Sequence, residues 1–284
     1  MEKLLQCNVC KSKDTIVTKK GLYCKNCGCN FANYIPDDNE ISEYYKKNYE
    51  NFLSGGRGTN KGQRAEKRAL YYLNLVEKYT NNHRTLLDIG CSNSPFPNLA
   101  FSRDLVVEVC DFERPKHLSS GIPYHAIAVD SKEWSASIEK KYDVLSMFDV
   151  IEHCRYPHQA VINLSNSIAD EGTIVLTTPL CDSFSDRNAM GTTSWLFPPE
   201  HLNIFSKKGM ELLFSQHNFE LIYFEKFEYT PLRKILRNLY GLRFGLTGYF
   251  YKVISRNKWE TSKLKATNRV QDIGLYIFRK KLEG

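Results

Sequence analysis

The chain has 284 residues, of which 42% are hydrophobic and 25% charged, and its formal net charge is +7. That describes a globular chain with room for one large domain and one small one. No uninterrupted apolar run is long enough to span a bilayer, and the start, MEKLLQCNVC, lacks the apolar stretch of a signal peptide, so a cytoplasmic location is expected.

Residues 7–27 read CNVCKSKDTIVTKKGLYCKNC. Two C-x-x-C pairs flank a short β-type stretch, and each pair offers two thiolates from one turn. Four thiolates satisfy tetrahedral zinc, and the bound metal supplies folding energy that so small a module lacks. Cys7, Cys10, Cys24 and Cys27 are the expected ligands, and the site is closed, hence structural. Cys29 is left over. A redox pair is disfavoured because no βαβ pattern surrounds either C-x-x-C.

A polar, tyrosine-bearing stretch follows, PDDNEISEYYKKNYENF, expected to be helical. Ser54–Gln63, SGGRGTNKGQ, has the composition of a flexible link. A helix is expected over Arg64–Tyr79, with Ala69, Leu70, Tyr72, Leu73 and Val76 facing a core. The division is a ribbon over 1–36, a helical linker or lid over 37–80 and a main domain over 81–284.

In the main domain strand-like runs alternate with helical ones: TLLDIG, LVVEVCD, YHAIAVD, YDVLSMF, GTIVLTTP, FELIYFEKF and IGLYIFRK. That alternation predicts an α/β fold with a mostly parallel seven-stranded sheet covered by helices on both faces. Ligands on such sheets bind beyond the carboxyl ends of the strands. The first strand ends at Asp88-Ile89-Gly90, the second at Asp111, the third at Asp130 and the fourth at Phe148-Asp149. An acid at the second strand end, about 20 residues past a glycine turn, suits a ribose hydroxyl pair. An acid at the third suits an adenine amino group.

A dinucleotide also needs the second and third glycines of G-x-G-x-x-G, and a triphosphate needs G-K-[ST]. Ser92 stands in the first of those places, and no G-K-[ST] is present. A ligand with adenosine, no phosphate and a positive centre fits better, which is S-adenosylmethionine.

LLDIGCSNSPF, FDVIEH, EGTIVLTTP and PPEHLNIFSKKGMELLFSQHNFELI resemble the successive motifs of class I S-adenosylmethionine-dependent methyltransferases, with a Rossmann-like fold. YCKNCGCNFANYIPDDNEISEYYKKNYE is similar to the zinc ribbon and linker of a subgroup common in pathways for surface polysaccharides, unusual sugars and secondary metabolites. The resemblance covers nearly the whole chain, except the basic segment after Tyr229. The first motif departs from the family, with Ser92 and Ser94 for its usual extra glycines.

The resemblance implies that Asp88 and Gly90 shape the loop at the methionyl end. Asp111 binds the ribose, ahead of its neighbours Glu108 and Glu113. Asp130 contacts adenine with Ser131 beside it, and Phe148 packs on the cofactor. Asp88 and Asp130 also suit plain helix capping. Methyl transfer needs alignment and, for a hydroxyl acceptor, a base; no metal is required in principle. His153 and His201 are the candidate bases, with Trp195 and Phe197 near His201 in a loop that reads as surface.

Between Tyr229 and Arg269 ten Lys/Arg face one acid, a net +9, so the rest of the chain sums to −2. Leu232, Ile235, Leu236 and Leu239 recur at helical spacing among Arg233, Lys234 and Arg237. A basic amphipathic insertion over 229–269 suits peripheral contact with an anionic membrane at its inner face, or an amphipathic lid or dimer helix. RNA phosphates are a weaker match, because acids at the strand ends oppose an extended cationic cleft. The expected acceptor is a hydroxyl or other nucleophile of a sugar, glycan or small metabolite, free or lipid-linked. The competing readings are an RNA methyltransferase and a non-catalytic scaffold, which cofactor titration separates.

Overall fold

The computed structural model describes residues 2–54, 59–80, 84–181, 195–227 and 273–282. The N-terminal module is built of short strands: β1 (Glu2–Lys3), β2 (Thr15–Val17), β3 (Leu22–Cys24), β4 (Asn30–Phe31) and β5 (Tyr34–Ile35). β2, β3 and β4 pair antiparallel, and a strand from far along the chain, β11 (Asn203–Ile204), continues the sheet beside β4. Two helices follow, α1 (Asp38–Ser54) and α2 (Thr59–Tyr79).

α2 begins five residues before the expected Arg64, so part of the glycine-containing link is helical. Gly62 lies in its exposed first turns, where an added Cβ would meet nothing, so its cost is only the roughly 1 kcal/mol of glycine's backbone entropy. Ala69, Tyr72, Leu73 and Val76 are buried as expected. Leu70 is only half-buried, and Leu75 is buried instead.

The main sheet contains β6 (Thr85–Ile89), β7 (Val106–Cys110), β8 (Tyr124–His125), β9 (Tyr142–Phe148), β10 (Ile168–Pro179), β12 (Phe219–Phe227) and β13 (Ile273–Lys280). Their order is β12-β13-β10-β9-β6-β7-β8. β8, β7, β6, β9 and β10 pair in parallel, while β13 runs antiparallel between β10 and β12. The chain passes from β6 outward to β8, then returns to β9 on the other side of β6. That reversal opens a crevice beyond the carboxyl ends of β6 and β9.

Alternate residues of each strand serve opposite faces. Leu87, Ile89, Leu145 and Met147 pack in one core with Trp134 of α4 (Trp134–Ser137), with α5 (Pro157–Ser167) and with the last described helix, α6 (Lys207–Ser215). Leu86, Val144 and Val175 pack in a second core with α2 and α3 (Phe96–Phe101). Cys7, Val9, Cys27, Cys29 and Phe31 share the first core with Phe205 and Met210, so the N-terminal module is packed onto the main domain.

One expectation changes. The third strand, expected to run to Asp130, ends at His125. It is the sheet edge, paired only to β7, and the Ile127 amide turns back onto the His125 carbonyl at 3.2 Å. The basic stretch 229–269 lies between β12 and β13 in sequence and falls outside the described residues.

Candidate functional site

The crevice begins at Gly90, whose φ of +68° is left-handed. Its amide donates to the Cys110 carbonyl at 2.8 Å. A Cβ there would lie 2.4 Å from Val150 Cγ2, so the loop fits under the end of β9 only without a side chain. Ser92 adopts φ +42°, the conformation for which a glycine is usual, and thereby replaces the missing second glycine.

Asp111 follows β7 and fastens this loop. Its Oδ2 accepts the Ser92 amide and its Oδ1 the Phe112 amide, each at 2.7 Å. The carboxyl is half-buried, and burial raises its pKa against those two donors. A carboxylate offers about four lone-pair directions, so two bonds leave it able to accept hydroxyls. Phe112 is 63% exposed beside it, and the Tyr45 ring from α1 lies 5.5 Å away. α1 therefore borders this end of the crevice.

Asp88 lies beneath the loop and is 1% exposed. Ser146 Oγ donates to its Oδ1 at 2.6 Å, while Oδ2 is buried with no partner among the described residues. Burial, reinforced by the Asp111 charge, pushes its pKa up to about 7. It caps no helix. Phe148 stacks on Tyr72 at 4.4 Å and meets Phe96 edge-on at 4.9 Å, an aromatic group joining β9, α2 and α3.

Asp130 stands five residues beyond its strand. Its Oδ2 accepts the Arg155 and Tyr156 amides at 2.8 and 3.2 Å, at the entry to α5. Ser131 Oγ is engaged with Glu133. Glu108 is buried with Lys140, His125 and Tyr142 bonded to its carboxylate, and Glu113 is exposed.

The two histidines meet. His153 ends a 3-10 turn over Ile151–His153, just past β9, and His201 precedes β11; their rings are 4.7 Å apart and edge to face. His201 is 7% exposed rather than on the surface, and its ring stacks with Phe197 at 4.2 Å and Trp195 at 5.9 Å. The loop is drawn inward because the Leu202 amide bonds to the Glu152 carbonyl and its own carbonyl accepts the Ala32 amide, both at 2.8 Å. Burial, aided for His153 by its neighbour, lowers the pKa of His153 to about 3 and of His201 to about 4. Both imidazoles are therefore neutral at physiological pH.

Sequence reasoning passed over three groups. Tyr44 of α1 donates a hydrogen bond to Glu200, Thr177 Oγ1 donates to Asp149 at 2.9 Å, and Glu152 is buried beside His153. A visible signal was the dipeptide Glu-His, which occurs at 152–153 and again at 200–201.

In the N-terminal module Cys7, Cys10, Cys24 and Cys27 bring their sulfurs within 4.8 Å of one another. Cys7 and Cys27 sulfurs are 3.6 Å apart, Cys10 and Cys24 3.5 Å. The Val9 and Cys10 amides point at Cys7 Sγ, each at 3.4 Å. Cys29 turns toward Ser206 instead.

The fold has counterparts among known proteins. The search of curated proteins found no match. Among solved structures, the [4+2]-cyclase SpnF superposes with a TM-score of 0.58 at 14% identity, covering 88% of this chain and 98% of that one. An S-adenosylmethionine-dependent methyltransferase from Archaeoglobus fulgidus gives 0.53 at 14% identity, covering 82% and 99%. The 1,6-didemethyltoxoflavin-N1-methyltransferase of Burkholderia thailandensis, with bound 1,6-didemethyltoxoflavin and S-adenosylhomocysteine, gives 0.53 at 9%, covering 95% and 100%. At such identities the likeness is one of fold, and a cyclase shares it. The activity class comes from the methyltransferase-domain family model, which matches residues 62–223. The match spans more than half of the chain, which is thus an enzyme of the methyltransferase-domain family.

Proposed function

We propose that this enzyme moves the methyl group of S-adenosylmethionine to a hydroxyl, or another nucleophile, of a sugar, glycan or small metabolite. The observation that carries the cofactor reading is the Asp111 carboxylate, fixed by the Ser92 amide at the mouth of the Gly90 loop. When bound, S-adenosylmethionine supplies a methyl carbon already activated by its sulfonium. The protein has then to bind, align and deprotonate.

Asp111 accepts the ribose hydroxyls through its remaining lone pairs. Gly90 lets the backbone come close, and Asp88 sets a buried acid beneath the methionyl end, where a cationic group compensates its desolvation. We assign acceptor activation to His201 and His153. Each ring gives Nδ1 to a backbone carbonyl, leaving Nε2 with a lone pair for the acceptor's proton or for an ion. Phe197, 39% exposed beside His201, offers a flat surface to a sugar ring.

The four cysteines suit a structural zinc. A Zn–S distance of about 2.3 Å puts tetrahedral sulfurs about 3.8 Å apart, close to the spacings across this cluster. Amides aimed at Cys7 Sγ favour its thiolate. We take the basic stretch 229–269 as a peripheral membrane contact that brings the enzyme to a lipid-linked acceptor. Its charge supports that, and no helix among the described residues is long and apolar enough to cross a membrane.

The test is transfer of labelled methyl from S-adenosylmethionine to a panel of glycans and sugar nucleotides. His201→Gln is expected to abolish product while leaving cofactor affinity unchanged. Product formation at the wild-type rate by His201→Gln refutes the acceptor assignment.

A further inference from the structure

Glu152 has no part in methyl transfer as described, yet it is 1% exposed and ionisable. Thr178 Oγ1 donates to its Oε2 at 3.0 Å, while Oε1 is buried with no partner among the described residues. A buried carboxylate oxygen without a donor is costly, so its surroundings are informative. One carboxylate oxygen of Glu152 and one ring nitrogen each of His153 and His201 lie within 4.8 Å of one another.

The histidines are set as metal ligands are set. His153 Nδ1 faces the Glu200 carbonyl and His201 Nδ1 the Trp195 carbonyl, each at 3.0 Å. A neutral ring that donates from Nδ1 keeps its lone pair on Nε2, and such outer bonds fix both tautomer and ring direction. The Asp149 carbonyl also favours a proton on the His153 ring, which a bound ion has to displace. The Leu202 amide, bonded to the Glu152 carbonyl at 2.8 Å, locks the two ligand-bearing segments together.

We propose that Glu152, His153 and His201 form a binding site for a divalent transition-metal ion, separate from the four-cysteine cluster. Two imidazoles and one carboxylate suit zinc, manganese or iron(II), and three protein ligands leave positions open. Ligand distances of about 2.0–2.2 Å place donor atoms roughly 3.4 Å apart around a tetrahedral ion. With these atoms within 4.8 Å of one another, no pair has to close by more than about 1.4 Å, within reach of side-chain rotation. The site deepens the acceptor assignment above and rests on it for its consequence alone: an ion held by these three residues would lower the pKa of an acceptor hydroxyl on an open position, the proton passing to solvent.

Manganese distinguishes the sites, because it prefers oxygen and nitrogen ligands and leaves thiolate-bound zinc in place. Full-length protein is titrated with Mn2+ and free ion read by electron paramagnetic resonance. About one equivalent is expected to bind, displaced by Zn2+, while the bound zinc of the protein is measured in parallel. Glu152→Gln and His153→Gln are expected to weaken Mn2+ at least tenfold, with circular dichroism and four-cysteine zinc unchanged. Glutamine keeps the size of each side chain, so either folded variant suffices. No Mn2+ binding by the wild type, or equal binding by folded Glu152→Gln, overturns the proposal. S-adenosylhomocysteine calorimetry on the same samples keeps the two readings apart. Cofactor binding without Mn2+ refutes only the metal site, and Mn2+ binding without the cofactor refutes only the methyl-transfer reading.

Discussion

Gly90→Ala tests how the loop is built. Alanine at φ +68° costs about 1–2 kcal/mol from the left-handed backbone alone. Its methyl would also stand 2.4 Å from Val150 Cγ2, against an ordinary carbon contact of about 3.5–4.0 Å. Relieving that contact by shifting the loop adds the roughly 1–3 kcal/mol of overpacking. The total is about 2–5 kcal/mol, which at roughly 2–4 °C per kcal/mol lowers the melting temperature by about 4–20 °C. The two parts separate in a Val150→Ala background, where the contact is gone and the backbone cost remains. There Gly90→Ala costs about 1–2 kcal/mol, leaving a coupling of about 1–3 kcal/mol in a double-mutant cycle. Denaturation of the four proteins measures it. Equal cost in both backgrounds would show that Val150 is not what confines the loop.

Three further outcomes are expected. The wild type is expected to hold about one equivalent of zinc, and Cys24→Ser to lower that content and, because β4 pairs with β11 two residues past His201, to impair acceptor turnover while leaving cofactor affinity intact; unchanged metal content refutes the ligand assignment. Asp88 has a folded pKa of about 7 against an ordinary 3.8. The native state then holds a proton that the unfolded chain lacks between those values, so stability falls as pH rises through that window and levels above it. Asp88→Asn removes the dependence, and its melting temperature should exceed the wild type's more at about pH 8 than at about pH 5; an equal difference at both contradicts the buried-acid account. For the basic stretch, salt-sensitive co-sedimentation with anionic but not neutral vesicles is expected, lost in Arg233→Glu/Lys234→Glu/Arg237→Glu. A shift of structured RNA with no vesicle binding assigns it to nucleic acid instead.

The sheet was legible because strands buried on both faces read as near-continuous apolar runs, as TLLDI and YDVLSMF do. The cysteine pairs were legible because their spacing is local. The edge strand was not: Tyr124–His125 has a neighbour on one side only, and the apolar letters after it serve a turn. That displaced Asp130 from a strand end to the entry of α5. The burial of His201 depends on β4, about 170 residues away, and a loop with two prolines and no local periodicity carries no sign of such a partner. Ser92 illustrates the same limit. Its left-handed backbone is held by an Asp111 bond across 19 residues, so the missing glycine in LLDIGCSNSPF reads as a defect until the bond is seen.

The central claim is a cofactor site closed by Asp111, and calorimetry with S-adenosylhomocysteine tests it most directly. The wild type is expected to bind one molecule. Asp111→Ala removes acceptors worth about 1.5–3 kcal/mol for each charge-assisted hydrogen bond, so affinity should fall at least tenfold, about 1.4 kcal/mol. Failure of the wild type to bind, or equal affinity in a folded Asp111→Ala protein, would contradict the account.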